Sequence, residues 1–136
     1  MPGNAEKATL MPRNVHIVII DDDHSFRVAT EWLMKSIGFD VAGYESAQSF
    51  LEGCPKRDTD CIISDINMPG MTGIELKQRL NEERIEVPVI FVSAQTDPNL
   101  PRRVIECGGY ALLQKPFHGQ NLIDAINQAI GNRSPG

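Results

Sequence analysis

Five short apolar segments alternate with segments of helical periodicity along the chain, and this alternation constrains the fold more than any other feature. The apolar segments are continuous and only four to six residues long, which suits strands that are buried on both faces. They occupy residues 15–20, 41–44, 61–64, 89–92 and 111–114. Because the connections are short, the pattern predicts a parallel sheet with right-handed crossovers and helices on both faces.

The helical segments between these strands are marked by apolar residues three or four positions apart. In the first helix, these residues are Phe26, Ala29, Leu33 and Ile37. Ser25 or Asp23 can cap its N-terminus, and Gly38 can end it. The fourth helix contains two prolines, Pro98 and Pro101, and we therefore expect it to begin late or irregularly.

The composition predicts one compact domain without disulfides. The chain has 136 residues, of which 41% are hydrophobic and 23% are charged, a normal globular composition. Its three cysteines, Cys54, Cys61 and Cys107, are widely spaced and lie in or beside apolar runs, which predicts reduced thiols. No apolar run approaches the roughly 20 residues that span a bilayer. We therefore expect a cytoplasmic protein without a membrane partner, and the net charge of −5 argues against direct nucleic-acid binding.

Four of the five strands are followed by polar side chains that can do chemistry. These side chains are Asp21, Asp22, Asp23, Asp65, Ser93 and Lys115. Because the carboxyl ends of parallel strands share one edge of a sheet, we expect them to converge in one crevice. Two carboxylates about 4 Å apart repel by about 4 kcal/mol at an effective dielectric constant of about 20. A hard cation such as Mg²⁺ removes this cost, and it prefers one or two carboxylates together with water and phosphate oxygens.

The predicted crevice suits a phosphoryl group. A metal ion and the ammonium of Lys115 would offset the charge of the phosphoryl oxygens, and Ser93 would donate a hydrogen bond to one of them. Asp65 stands at the end of the third strand, and the turn that follows, which contains Pro69 and Gly70, fixes the loop behind it.

Four motifs carry a resemblance to a known family: IIDDD from residue 19, SDINMPGMTG from residue 64, VSA from residue 92 and KPF from residue 115. In this order they resemble the receiver domain of two-component response regulators. Residues 93–117 are most similar to receivers of the nitrogen-fixation and nitrate-response transcription regulators. The resemblance implies a flavodoxin-like (βα)5 fold, an α/β doubly wound parallel sheet with strand order 2-1-3-4-5.

The resemblance also implies a role for each residue of the crevice. Asp65 would accept a phosphoryl group from the phosphohistidine of a sensor kinase. Lys115 would pair with Asp65 or with the phosphoryl group, and Ser93 would bind a phosphoryl oxygen. The implied ligands of Mg²⁺, or of Mn²⁺ in its place, are Asp21, Asp22, Asp65 and the backbone carbonyl of Asn67. The peptide bond between residues 115 and 116 would be cis.

A receiver domain of this kind is a signalling phosphoacceptor and not an enzyme with an external substrate, although it catalyses its own phosphorylation and dephosphorylation. The expected partners are a sensor histidine kinase or phosphotransfer protein, an output protein that the sequence does not name, and a second copy in a phosphorylation-dependent homodimer. The expected domain boundaries are a flexible leader over 1–13, the receiver domain over 14–132 and a disordered tail over 133–136, without an output domain.

One residue departs from the family pattern. The family commonly has Tyr or Phe three residues before the lysine, where this chain has Leu112. In the family, the position of the strand-end hydroxyl is coupled to rotation of that aromatic ring. We therefore expect a conformational change that is smaller or more centred on the fourth helix, on a surface formed by that helix and the fifth strand.

Two other functions fit part of the sequence. In a phosphatase of the haloacid-dehalogenase type, Asp21 would be the nucleophile and Asp23 the general acid, with Ser93 and Lys115 in two further motifs. That family needs another acidic pair after the lysine, where this chain has only Asp124, and the alternative leaves Asp65 unexplained. The second alternative is a docking module whose acidic crevice carries out no chemistry.

Overall fold

The computed structural model describes residues 14–53 and 58–131. The expected leader and tail, and the residue Cys54, lie outside these ranges. The strands are β1 (His16–Ile20), β2 (Asp40–Tyr44), β3 (Cys61–Asp65), β4 (Val89–Ser93) and β5 (Ala111–Gln114). The helices are α1 (His24–Ser36), α2 (Ala47–Gly53), α3 (Gly73–Glu82), α4 (Leu100–Cys107) and α5 (Gly119–Gly131). Among these helices, none is long and apolar enough to cross a membrane.

The five strands form one parallel sheet in the order β2-β1-β3-β4-β5. This order confirms the flavodoxin-like (βα)5 architecture that the alternation and the motifs predicted. From β1 the chain passes outward to the edge strand β2, and then returns across β1 to build β3, β4 and β5 on the other side. The connections that leave β1 and β3 run in opposite directions. A crevice therefore forms at the carboxyl ends of these two neighbouring strands, where ligands of doubly wound sheets bind.

Each central strand sends alternate side chains to opposite faces, as the pleat of a strand requires. Val18 and Ile20 of β1 belong to a buried cluster with α2, α3 and α4. Ile17 and Ile19 belong to a second cluster with α1 and α5. Because both faces are covered, all five residues of β3 and all five of β4 are buried. This explains why their sequences show no alternation between apolar and polar residues.

The predicted apolar face of α1 is wrong at two positions. Ala29 is exposed and Ile37 is 43% exposed, whereas Thr30 and Met34 are buried. Ile37 lies beyond the last helical residue as the C-cap and cannot follow the helical face. Thr30 tolerates burial because its hydroxyl donates a hydrogen bond of 2.8 Å to the carbonyl oxygen of Phe26.

The helix ends follow the expected local chemistry. Asp23, one of the two predicted caps, accepts a hydrogen bond from the backbone N–H of Phe26 at 3.1 Å. Gly38 follows α1 with a φ of 99°, a left-handed conformation that favours glycine. At α3, Thr72 and Glu75 form a capping box in which each side chain accepts from the other residue's backbone N–H.

The late start of α4 is confirmed. The helix begins at Leu100, so that Pro98 precedes it and Pro101 lies in its first turn, where a missing N–H removes no helical hydrogen bond. Its buried residues are Leu100, Val104 and Cys107. Ile105 on the opposite side is 75% exposed. Helix α4 therefore rests on the sheet through a narrow apolar face.

Gly73 generates a first prediction, because α3 approaches the end of β3 closely at this residue. A Cβ atom on Gly73 would overlap the carbonyl oxygen of Asp65 and lie 3.0 Å from the hydroxyl oxygen of Ser64. Gly73→Ala should therefore lower the free energy of unfolding by about 1–3 kcal/mol, since a backbone atom cannot move aside cheaply. Chemical denaturation measures this change. Gly131→Ala is the matched control, because its Cβ would meet no atom within 4 Å; an equal effect of both substitutions would contradict the packing argument.

Candidate functional site

The structure brings the predicted polar residues to one edge of the sheet. Asp21 follows the last residue of β1, Asp65 ends β3, Ser93 ends β4 and Lys115 follows β5. Because the strands are parallel and hydrogen-bonded in register, these positions are neighbours at the carboxyl edge. The backbone N–H of Lys115 donates to the carbonyl oxygen of Ser93 at 2.8 Å, which extends the pairing of β4 and β5 beyond the end of β5.

Lys115 lies between two carboxylates. Its Nζ atom donates a hydrogen bond of 2.8 Å to Oδ2 of Asp21 and lies 3.9 Å from Oδ2 of Asp65. Asp21 is completely buried and Asp65 is 8% exposed. Buried carboxylates of this kind need a positive partner, because the interior does not replace their hydration. One ammonium therefore serves two buried acids.

Aromatic side chains position the lysine, and the sequence analysis did not assign them to the site. The Nζ atom of Lys115 lies 4.0 Å from the centre of the Phe26 ring, within the range of a cation–π interaction. Phe117 packs its ring against Phe26 at 5.9 Å with an interplanar angle of 77°. Phe26 was counted only as a core residue of α1, although its place five residues after the first aspartate was a usable signal. The Lys115–Pro116 peptide bond is cis, as the resemblance implied.

The three consecutive aspartates have different surroundings. Oδ1 of Asp21 accepts a hydrogen bond of 2.9 Å from the backbone N–H of Asp23, and its carbonyl oxygen accepts one of 2.7 Å from Arg27. Asp22 is exposed next to the buried Asp21. Asp23 is exposed and its carboxylate caps α1. Arg27 is a further residue that the sequence analysis missed.

The backbone around Asp65 is held by two local hydrogen bonds. The Oδ1 atom of Asp65 accepts a long hydrogen bond of 3.4 Å from the backbone N–H of Asn67, and its carbonyl oxygen accepts one of 2.9 Å from Ser64. Burial, followed by the nearby charge of Asp21, raises the pKa of Asp65 to about 6, against the opposing effects of Lys115 and of the Asn67 N–H. Asp65 therefore ionises at a higher pH than an exposed aspartate.

The acidic cluster fits a divalent metal ion. Asp21, Asp22 and Asp65 each offer a carboxylate oxygen, and the three oxygens lie within 4.8 Å of one another. Oxygen donors are what Mg²⁺ prefers, and opposite ligands of an octahedral Mg²⁺ lie about 4 Å apart. Because Asp22 is exposed, the cluster is open to the waters that Mg²⁺ usually keeps. The donor set therefore suits Mg²⁺.

Ser93 lies beside a cavity at the same edge of the sheet. Its hydroxyl accepts a hydrogen bond of 3.0 Å from the backbone N–H of Gln95. It also lines a cavity of about 250 Å³, together with residues at the start of α4 and with Leu112 of β5. Leu112 is half-buried against the cluster of α2, α3 and α4. Space for repacking therefore exists between the strand-end hydroxyl and α4.

The topology and the acidic edge together define the class of protein. A doubly wound sheet that gathers carboxylates and a lysine at its carboxyl ends is the arrangement of a phosphoacceptor signalling domain. Residues 17–127 match the response regulator receiver domain, and the chain belongs to this family, which acts in two-component signalling. The fold and the family leave the haloacid-dehalogenase alternative without support.

The transcriptional regulatory protein TdiR of Thauera aromatica is 35% identical over 114 residues, which are 84% of this chain and 50% of TdiR. FixJ of Bradyrhizobium diazoefficiens is 34% identical over 120 residues, 88% of this chain and 58% of FixJ. The crystal structure of FixJ-N has a TM-score of 0.82 and 26% identity, and the match covers 92% of this chain and all of FixJ-N. These similarities confirm the expected kinship with receivers of transcription regulators. The chain spans between half and three-fifths of the length of TdiR and FixJ.

The raised pKa of Asp65 generates a second prediction. Between the usual aspartate pKa of 3.8 and about 6, the folded protein binds a proton that the unfolded chain has released. The ionised carboxylate therefore costs stability above about pH 6, and this cost disappears as the pH falls toward 4. In metal-free buffer, Asp65→Asn should raise the free energy of unfolding by about 1–3 kcal/mol near pH 7.5, and the gain should shrink near pH 4.5.

Urea unfolding at the two pH values measures the effect. Asp124→Asn is the control, since Asp124 is exposed on α5 and bonds only its helical neighbour Gln120 among the described contacts. A gain in the Asp65 variant that is the same at both pH values would contradict the raised pKa.

Proposed function

We propose that this chain is a magnesium-dependent phosphoacceptor in which Asp65 receives the phosphoryl group. The observation that carries the assignment is the position of Asp65, which shares one lysine with Asp21 and has oxygens of Asp21 and Asp22 within 4.8 Å. The proposed donor is the phosphohistidine of a sensor histidine kinase or of a phosphotransfer protein.

In the proposed reaction, a carboxylate oxygen of Asp65 forms a bond to phosphorus while the bond between phosphorus and the histidine nitrogen breaks. The imidazole leaves and the phosphoryl group remains on Asp65 as an acyl phosphate. A carboxyl group with a pKa of about 6 is mostly ionised at neutral pH, so Asp65 is a nucleophile without a separate general base. Lys115 lies close enough to follow the charge from the carboxylate to the phosphoryl oxygens.

The proposed protein ligands of the metal are the carboxylates of Asp21, Asp22 and Asp65 and the backbone carbonyl of Asn67. When bound, Mg²⁺, or Mn²⁺ in its place, supplies positive charge that offsets the transferring phosphoryl group. Asp21 already shares its Oδ2 atom with Lys115 and its Oδ1 atom with a backbone N–H. The exposed Asp22 is the carboxylate with most freedom to turn toward an ion.

Ser93 is proposed to bind a phosphoryl oxygen and to report phosphorylation to α4. To reach the phosphoryl group, its hydroxyl would leave the Gln95 N–H, and the cavity beside it would allow Leu112 and α4 to repack. The surface of α4 and β5 would then bind an output protein, or a second copy of the chain, differently from before. The acyl phosphate on Asp65 would act as a signal, and the same site would catalyse both its formation and its hydrolysis.

Intact-mass spectrometry after incubation with acetyl phosphate and Mg²⁺ tests the proposed function. The wild type should gain one phosphoryl group, and Asp65→Asn should gain none. Asp23→Asn is the matched control, because Asp23 belongs to the same acidic run but caps α1, and asparagine also caps helices. This control should be phosphorylated as readily as the wild type.

Chelation of Mg²⁺ with EDTA should abolish the mass gain in the wild type. A gain that persists in Asp65→Asn would assign the phosphoryl group to another residue. Complete failure of the wild type with acetyl phosphate and with a kinase phosphohistidine would favour the docking module without chemistry.

A further inference from the structure

A cleft of about 610 Å³ lies at the edge of the sheet opposite to Asp65. Residues that precede β4 and β5 line it, together with Lys77 and Asn81 of α3. Because these residues stand at the amino ends of parallel strands, the cleft and the acidic crevice are at opposite ends of the sheet. Its volume is in the range of small-molecule sites, about 300–1,000 Å³. We refer to it as the Lys77 cleft.

Lys77 is a buried cation whose ammonium forms no salt bridge with a carboxylate in the described part of the chain. Only 7% of the residue is exposed, and the hydrogen bond described for its ammonium goes to the neutral amide oxygen of Asn81 at 2.8 Å. Burial lowers the pKa of Lys77, against weaker opposing effects of Cys107 and Glu86. A buried ammonium is costly unless an anion compensates it. The cleft therefore holds a positive charge that an incoming anion would stabilise.

Arg84 adds a second cation to the same cleft. It follows the end of α3 with a φ of 57°, a left-handed conformation in which glycine is the usual residue. The turn is fixed by hydrogen bonds from Arg84 N–H to Asn81 O at 3.0 Å and from Ile85 N–H to Leu80 O at 2.9 Å. An arginine at this position costs stability, and its exposed side chain lines the cleft. Its planar guanidinium matches a carboxylate in two parallel hydrogen bonds.

The remaining walls define the rest of the ligand. Val87, Pro88 and Tyr110 supply an apolar surface, and Glu86 contributes one carboxylate. Two cations and one anion leave a net charge of plus one. We propose that the Lys77 cleft binds a small organic carboxylate of single negative charge, whose carboxylate lies between Lys77 and Arg84 and whose apolar body lies against Pro88 and Tyr110.

A ligand in the Lys77 cleft would affect the hydrogen bonding at the end of helix α4. The side-chain amide of Asn81, which holds the Lys77 ammonium, also donates a hydrogen bond of 2.9 Å to the carbonyl oxygen of Cys107 at the end of α4. A carboxylate that draws the ammonium away would change both hydrogen bonds of Asn81. Because this contact does not involve Asp65, the proposal can be tested on the unphosphorylated chain, and it stands or falls independently of the proposed phosphoacceptor function.

The test is a titration of the isotope-labelled chain with benzoate, followed by amide chemical shifts in NMR spectra. Benzoate is a planar monoanion with an apolar ring, and benzamide is its uncharged counterpart. Benzoate should produce saturable shifts at the Asn81 side chain and at residues 107–110, with a Kd on the order of 1 mM. Benzamide should bind about tenfold more weakly, the loss expected for one charge-assisted hydrogen bond.

Two variants and a control separate binding from folding. Lys77→Met keeps the apolar stem and should weaken benzoate binding about tenfold. Arg84→Gly should also weaken it, while raising the melting temperature because glycine relieves the left-handed conformation. Arg102→Ala removes an exposed arginine of α4 that forms an ion pair with Glu106, and it should leave binding unchanged.

Saturable shifts that both cleft variants weaken would support the site. Competition by inorganic phosphate at the same residues would support the pair of cations but would assign no role to the apolar wall. Three results would overturn the proposal: no saturable shift with benzoate up to about 20 mM, equal binding of benzamide, or binding that Lys77→Met and Arg84→Gly leave unchanged.

Discussion

The contact of one ammonium with two buried carboxylates is the interaction on which the acidic edge of this domain depends. Lys115 bonds Asp21 at 2.8 Å and approaches Asp65 to 3.9 Å, and Asp22 adds a third carboxylate to the group. At an effective dielectric constant of about 20, each pair of unit charges near 4 Å interacts by about 4 kcal/mol. One lysine therefore cannot neutralise three acids. Burial and, after it, the negative charge of Asp21 raise the pKa of Asp65, and the excess negative charge is also what a metal ion would neutralise.

The fold holds those groups together against their repulsion. Asp21 and Asp65 leave neighbouring strands of a sheet that is buried on both faces, so neither can move far without disturbing the core. The lysine comes from the edge strand β5 and is held by the ring of Phe26 and by the backbone of Ser93. Gly73 lets α3 pass directly behind Asp65. Rigid strands thus supply Asp21 and Asp65, while Asp22 is exposed beside them.

Apolar periodicity and chain direction predicted the parallel sheet, the residues at the strand ends and the edge at which they converge. The strand order was predicted by the resemblance to receiver domains, because periodicity does not determine which strands are neighbours. The prediction of the buried face of α1 was wrong, because Thr30 and Met34 are buried instead of Ala29 and Ile37. The hydroxyl of Thr30 can be buried because it donates a hydrogen bond within its own helix. Sequence reasoning missed Phe26 and Arg27 at the site, since their roles depend on side-chain directions that spacing does not give. The Lys77 cleft could not be predicted from the sequence, because its walls come from α3 and from the residues that precede β4 and β5.

A double-mutant cycle between Lys115 and Asp65 measures the central charge balance directly. Unfolding free energies of Lys115→Met, Asp65→Asn and the double variant would be compared in EDTA and in millimolar Mg²⁺. The account predicts that Lys115→Met is destabilising in EDTA, that Asp65→Asn reduces this loss by on the order of 1 kcal/mol, and that Mg²⁺ restores part of the stability of Lys115→Met. Additive effects of the two substitutions, together with no response of Lys115→Met to Mg²⁺, would contradict it.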